Sequence, residues 1–263
     1  MNRQAIPPKS IPMSTSAFQQ STGSTLHWLG SAGLFLNSRG TCIMIDPMLE
    51  GFDLPLLIDL PIHSADIPHL DGLLVTHSDN DHFSRETCRL LAKKCSAFHS
   101  TQYVHTLMQE MDLPSFGHDI NNSFAVDNVQ IKLTPAYHTW QNEFGGFDRI
   151  FLPEDACGYY ITTPDGTVFA PGDSRLLSEQ LELPAPDVIL FDFSDDPWHI
   201  GLDGAEKLAA AYPNALLMLS HWGTVDAPDM LPFNADPHVL YDRIVHPERI
   251  RLLAPGQALQ LCS

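Results

Sequence analysis

The chain has 263 residues, an apolar fraction of 44% and a formal net charge of -18, enough length to bury a core in one large domain or two small ones. That charge excludes a nucleic-acid partner, because phosphate binding needs a basic stripe, and no apolar run reaches the length of a membrane span. Most of the acidity serves solubility, but some carboxylates can hold cations, whose charge the sum omits.

Residues 1–22 are rich in Ser, Thr, Gln and Pro and lack the apolar segment of a signal peptide. They are expected to be a mobile tail, and residues 23–263 a single domain. "STLHWLGSAGLFLNSRGTCIMIDP" reads as two or three short strands, with turns at Gly30 and at Ser38-Arg39-Gly40. Its last strand, Ile43 to Ile45, runs into Asp46-Pro47. "DGLLVTH" is a second buried strand, ending at His77. Ser84 then caps a helix on which Cys88, Leu91 and Cys95 share one face. The stretch between them, "VTHSDNDHFS", therefore lies in a strand-to-helix loop.

"SAFHS" is a short strand and "TQYVHTLMQEM" a short helix. "VQIKLTPAYHTW" alternates as a strand and ends at His138. "ACGYYITTPDGTVFAPGDSR" is a hairpin around Pro164-Asp165-Gly166 that ends at Asp173. "PDVILFDFS" is a buried strand, "DGAEKLAAAY" a helix, and "ALLMLSHWGT" a buried strand ending at His221. A last strand pair falls in "RIRLLAPGQALQL". No repeat is present, and a single α/β domain with helices covering its sheets follows. The cysteines, Cys42, Cys88, Cys95, Cys157 and Cys262, include no C-x-x-C pair. They read as free thiols in a reducing compartment, so a cytoplasmic location is expected.

Five apolar strands thus end in a His or Asp: Asp46, His77, His138, Asp173 and His221. Strand ends in such architectures share one rim, where residues far apart in sequence converge. With Asp79, Asp81 and His82 they supply enough imidazoles and carboxylates for two divalent ions. No G-x-S-x-G elbow is present, which disfavours a serine hydrolase, and "GSAG" at 30–33 is not a dinucleotide fingerprint.

In their order and spacing these motifs resemble the metallo-β-lactamase-fold superfamily, and within it the L-ascorbate-6-phosphate lactonase-like branch. "HWLGSAGLFL" resembles that branch's opening strands, "IDP" the first superfamily motif, and "THSDNDH" the T-H-x-H-x-D-H signature. "PGDS", "SHWGT" and "APGQALQL" resemble the later motifs. The resemblance implies an α/β fold, an αββα sandwich with the metal site at one edge of the two sheets. It implies that His77, Asp79 and His138 hold a first ion, that Asp81, His82 and His221 hold a second, and that Asp173 bridges them. Asp46 would orient a ligand from behind.

The signature's second His is Asp79 here. Flavodiiron proteins similarly carry a carboxylate at that point, and a carboxylate favours manganese or iron over zinc. Alternatively Asp79 is too short to reach, and the first site is weak. The expected activity is a metal-dependent hydrolase that activates a hydroxide against a small ester, lactone, amide or phosphoester, with Asp81 as a catalytic group and one or two ions of Mn, Zn or Fe. The alternatives are a diiron protein reacting with oxygen or nitric oxide and a non-catalytic metal-binding relative. His199, Trp140 and Arg149 are candidate substrate contacts, with Arg149 pairing an anionic substrate group. Asp195 and Asp196 read as solvated. A small-molecule substrate is the expected partner, with neither nucleic acid nor membrane, and homo-oligomerisation is open.

Overall fold

The computed structural model describes residues 4–261. The chain opens as a meander of β1 (Ser24–Gly30), β2 (Gly33–Ser38) and β3 (Thr41–Ile45). Next to β3, β4 (Gly72–Leu74), β5 (Phe98–Thr101) and β6 (Ser115–His118) add in parallel. Helices α1 (Arg85–Leu91) and α2 (Gln102–Gln109) make the crossovers. The Ser84 hydroxyl accepts from the Thr87 N–H and starts α1.

A second sheet follows. β7 (Ser123–Val126), β8 (Val129–Pro135), β9 (Cys157–Thr163) and β10 (Gly166–Ala170) are antiparallel neighbours. The short α3 (Gln141–Phe144) lies in the β8–β9 connection. β11 (Val188–Phe191) and β12 (Leu216–Leu219) flank α4 (Gly201–Ala211), and β13 (Ile250–Arg251) comes last in this sheet. β14 (Ala258–Gln260) returns to pair with β1. Among the described residues each sheet has seven strands, ordered 14-1-2-3-4-5-6 and 13-12-11-10-9-8-7. The two segments expected to form a closing pair are therefore not partners: β13 extends one sheet and β14 the other.

Side-chain alternation explains why these strands read as unbroken apolar runs. In β2 and β3, Leu34, Leu36, Ile43 and Ile45 face the core between the sheets, where they meet Ile131, Leu133, Tyr159 and Phe169. Phe35, Cys42 and Met44 face the other way and pack under α1 and α2 against Cys88, Leu91, Val104 and Met108. A sheet buried on both faces needs apolar residues at every position. On the far side Ala205, Leu208 and Ala209 of α4 cover the second sheet. The layers are helix, sheet, sheet, helix.

β3 and β4 are parallel, and so are β10, β11 and β12. β8 and β10 are both antiparallel to β9, so they share a direction. The residues just beyond the C-terminal ends of these strands line one rim.

Residues 4–22 do not form the expected mobile tail; residues 1–3 lie outside the described residues. The Ile11 N–H donates to Pro255 O (2.8 Å), the Met13 N–H to Pro61 O (2.7 Å), and Phe18 packs on Phe35 (ring centroids 4.4 Å apart). The Gln4 amide bonds the backbone of Val225, Phe233 and Ala227. A polar composition marked this segment as solvated, but its amides and carbonyls are spent on the domain. Cys42, Cys88, Cys95 and Cys157 are free thiols; Cys262 lies outside the described residues. Among the described residues no helix is long and apolar enough to cross a membrane.

Candidate metal centre

The β4–α1 loop brings His77, Asp79, Asp81 and His82 to the rim, and His138, Asp173 and His221 arrive after β8, β10 and β12. Two of these turns need unusual backbone. Asp46 (φ 45°) and His221 (φ 58°) are left-handed, a region few non-glycine residues adopt. Gly172, before Asp173, also has a positive φ (66°), and a Cβ there would sit 2.7 Å from Cys157 O, which accounts for the glycine of "PGDS".

Two groups of ligating atoms result. In the first, Asp79 Oδ2 is 3.4 Å from His77 Nε2 and 3.3 Å from His138 Nε2. In the second, His82 Nε2 lies 3.1 Å from Asp173 Oδ2 and 3.6 Å from Asp81 Oδ2, and His221 Nε2 lies 3.2 Å from Asp81 Oδ2. Tetrahedral ligands about 2.1 Å from an ion sit about 3.4 Å apart, so both groups have the right spacing. The Asp79 side chain is long enough to reach the first group. Asp173 Oδ2 is the common point: it lies 2.8 Å from His199 Nε2, 3.1 Å from His82, 3.7 Å from His221, and 4.0 Å from both His77 and His138.

The imidazoles are held from behind. Asp46 accepts from the Thr76 N–H and hydroxyl (2.8 and 2.6 Å) and from His82 Nδ1 (2.8 Å). His77 Nδ1 rests on the Thr76 oxygen (3.0 Å), and His138 Nδ1 donates to Trp198 O (3.2 Å). With Nδ1–H spent on an acceptor, each Nε2 lone pair points inward. Nε2 of His77 and of His82 are buried without a hydrogen-bond partner. Buried polar atoms are rarely left so, and a cation between them and the carboxylates would satisfy them. The residues fit divalent ions.

Electrostatics agrees. Burial pushes Asp173 up, but His221, His82 and His199 outweigh it and hold it well below the usual carboxylate range. Burial likewise opposes ionisation of Asp79 and Asp81. His77 with His138, and His82 with His221, overcome it, so both carboxyls are lowered. The same carboxylates raise His82 and His221 against the effect of burial. His138 is lowered, chiefly by burial. The cluster demands positive charge, and protons and metal ions compete for the same nitrogens.

Trp140 and Gln141, just after His138, clamp Asp79. The indole N–H donates to Oδ2 (2.6 Å) and the Gln141 amide to Oδ1 (2.7 Å). His199 lies between Asp173 (2.8 Å) and Asp196 (Nδ1 to Oδ2, 2.6 Å). Asp196 is therefore buried, not solvated, because it receives that imidazole; Asp195 is exposed and caps the Leu202 N–H. Arg149, a candidate substrate contact in sequence, presents no free cation to the cleft. Its guanidinium pairs with Asp155 (2.5 Å) and stacks on Tyr103 (3.5 Å).

Sequence reasoning missed Gln141 and Asp192. Asp192 is buried after β11 and groups with Asp173, His199 and His221. It follows the same pattern of an apolar strand ending in Asp, so a signal was there. Gln141 had none.

The centre lies in a cleft of about 1030 Å³ whose walls include Trp140, Phe147, Phe233 and Leu231.

The Beta-lactamase superfamily domain matches residues 41–222. A UPF0173 metal-dependent hydrolase of Methanoculleus marisnigri is 28% identical over 241 residues, covering 90% of this chain and 96% of that one. Another, from Nitratidesulfovibrio vulgaris, is 30% identical over 162 residues; the match covers 58% of this chain and spans only 59% of that relative's length. Among solved structures, a metallo hydrolase from the archaeon Ignicoccus hospitalis aligns with a TM-score of 0.70 at 20% identity, covering 91% of this chain and 98% of that one. At that identity the likeness is one of fold, and the fold is the metallo-β-lactamase αββα sandwich.

Proposed function

The chain belongs to the β-lactamase superfamily, and on that premise we propose that it is a metal-dependent hydrolase of a small ester, lactone, amide or phosphoester. The observation that carries the reading is the position of Asp173 Oδ2, within 4.0 Å of nitrogens from both ligand groups. His77, Asp79 and His138 would hold one divalent ion and Asp81, His82 and His221 another, with Asp173 shared. Such ions supply Lewis acidity and make water a nucleophile near neutral pH.

The chain's own groups set the rest. Asp46 and Thr76 fix the tautomers and planes of His77 and His82. Asp81 Oδ2, at the cleft floor, orients the attacking water. His199 Nε2, 2.8 Å from Asp173 Oδ2, is placed to move a proton at the edge of the centre. In the balanced reaction the water oxygen bonds to the acyl carbon or phosphorus, the bond to the leaving alcohol or amine breaks, one water proton ends on that leaving group, and the other is released from the new acid. The hydrolase names of the two curated relatives support hydrolysis over diiron oxygen chemistry. The opening strands "HWLGSAGLFL" favour the L-ascorbate-6-phosphate lactonase-like branch, a likeness of strand pattern that carries no substrate. A carboxylate at Asp79 favours manganese or iron in the first site.

Elemental analysis of freshly purified protein, followed by an ester, lactone and phosphodiester panel, tests this. Bound divalent metal and chelator-sensitive turnover of at least one class are expected. A metal-free protein that also gains no activity on loading contradicts the reading.

A further inference from the structure

The cleft above the ligand cluster has an aromatic wall and little positive charge. Trp140 lies 5.9 Å from the rings of both Phe144 and Phe147, and Phe144 continues to Trp198 at 5.4 Å. Leu231 and Phe233 add to the apolar lining. Much of this apolar surface is bare: Phe144 is 65% exposed, Phe147 46% and Leu231 50%. Apolar surface gathered at a ligand cluster is recovered when something apolar covers it, at roughly 25 cal/mol per Å².

The charge in the cleft points the same way. Arg85 alone among the lining residues carries a fixed positive charge, against the carboxylates of Asp53, Asp79, Asp81, Asp173 and Asp196. Arg149 and Arg175, the other arginines near the opening, are paired with Asp155 and Glu143. Asp79, Asp81 and Asp173 already offset most of the charge of two divalent ions. Sites for phosphate or carboxylate groups ordinarily gather several guanidinium or ammonium donors, whereas here Arg85 stands alone against five carboxylates. On the wall itself, Gln141 Oε1 and Trp198 Nε1 are unpartnered and neutral, and the carboxylate oxygen Asp196 Oδ2, with no partner beyond its contact with His199, is an acceptor that disfavours an anion.

We propose that the substrate is an uncharged ester, lactone or amide with a large apolar arm, a fatty acyl chain or an aryl ring. The arm lies against the Trp140–Phe144–Phe147 wall while its carbonyl reaches the ligand cluster. This rests on the hydrolase reading and narrows it by removing phosphoesters and other anionic substrates. Trp140 sets the register between wall and centre, because its N–H is fixed on Asp79.

Two series test this on the intact protein. Methyl ketones of rising chain length, neutral and not hydrolysable, are titrated by tryptophan fluorescence. Nitrophenyl esters from acetyl to decanoyl, together with nitrophenyl phosphate, are assayed for kcat/KM. Ketone affinity should rise about two- to four-fold per added methylene until the cleft is filled. The double variant Phe144→Ser, Leu231→Ser should flatten that slope. Leu90→Ser, exposed on α1, should leave it unchanged. Ester kcat/KM should rise in parallel and the phosphate should be the poorest substrate. Ketones that bind with this slope while no ester is turned over keep the cleft assignment and remove the hydrolase reading. Esters cleaved equally at all lengths, or a preference for the phosphate, overturn the assignment and leave the hydrolase reading standing. A flat ketone series also overturns the assignment.

Discussion

Trp140 donates its indole N–H to Asp79 Oδ2 at 2.6 Å, and that same oxygen is the one that faces His77 and His138. Asp79 is thus fixed from outside, in the position a ligand would occupy. Trp140→Phe keeps the ring and removes the donor. Metal affinity of the first site should fall roughly 10-fold, with fold stability changed by less than about 1 kcal/mol. Metal titration by calorimetry beside urea unfolding checks both, and unchanged affinity would show that the clamp is idle.

Asp79 itself separates the two sites. Asp79→Ala should lower the metal-to-protein ratio by about one ion while Asp81, His82, Asp173 and His221 keep theirs. Asp79→His removes a negative charge and should shift occupancy from manganese or iron towards zinc. Elemental analysis of the three proteins after identical loading reads this out. The same ratio and the same metal in all three would make Asp79 a bystander.

His99 predicts a pH dependence away from the centre. It is buried against Phe124 and His118, and burial first, then the His118 charge, lower its pKa from 6.5 to about 4. The unfolded chain binds this proton below about pH 6.5 and the folded protein does not. Stability from His99 is therefore full above that pH and is lost as pH falls through the window towards 4. The loss should be on the order of 1–3 kcal/mol. His99→Gln should flatten the slope of unfolding free energy between pH 6.5 and 4. Parallel slopes for wild type and variant, from urea unfolding, would rule His99 out as the source.

Gln4 carries a prediction for the N-terminal segment. Its amide donates to Val225 O and Phe233 O (2.7 and 2.8 Å) and accepts from the Ala227 N–H (3.1 Å). Gln4→Ala should cost about 1–2 kcal/mol of local stability and speed hydrogen exchange at the Ala227 amide. Unaltered protection there would mean that residues 4–22 contribute nothing to this loop.

Much of this was legible in sequence because burial on both faces leaves strong traces. β3 and β4 are unbroken apolar runs, and the ligand residues follow such runs in order. Asp192 obeys the same rule but matches no motif. β6 and β7 are short and half-exposed, so their pattern is weak. The Trp140 and Gln141 contacts to Asp79 join residues about sixty positions apart, and nothing local encodes them. The N-terminal segment misled because composition reports solvation preference, not the docking of individual backbone amides such as Ile11 and Met13.

The cluster around Asp173 should hold the divalent ions on which hydrolysis depends. The direct measurement is hydrolysis of the best ester by chelator-treated protein as Mn(II) or Zn(II) is titrated back. Turnover should be lost on chelation, return with added metal, and saturate near two ions per chain; Asp173→Ala should not recover. Turnover that survives complete chelation, or that returns equally in Asp173→Ala, would show that hydrolysis does not depend on ions held at this cluster.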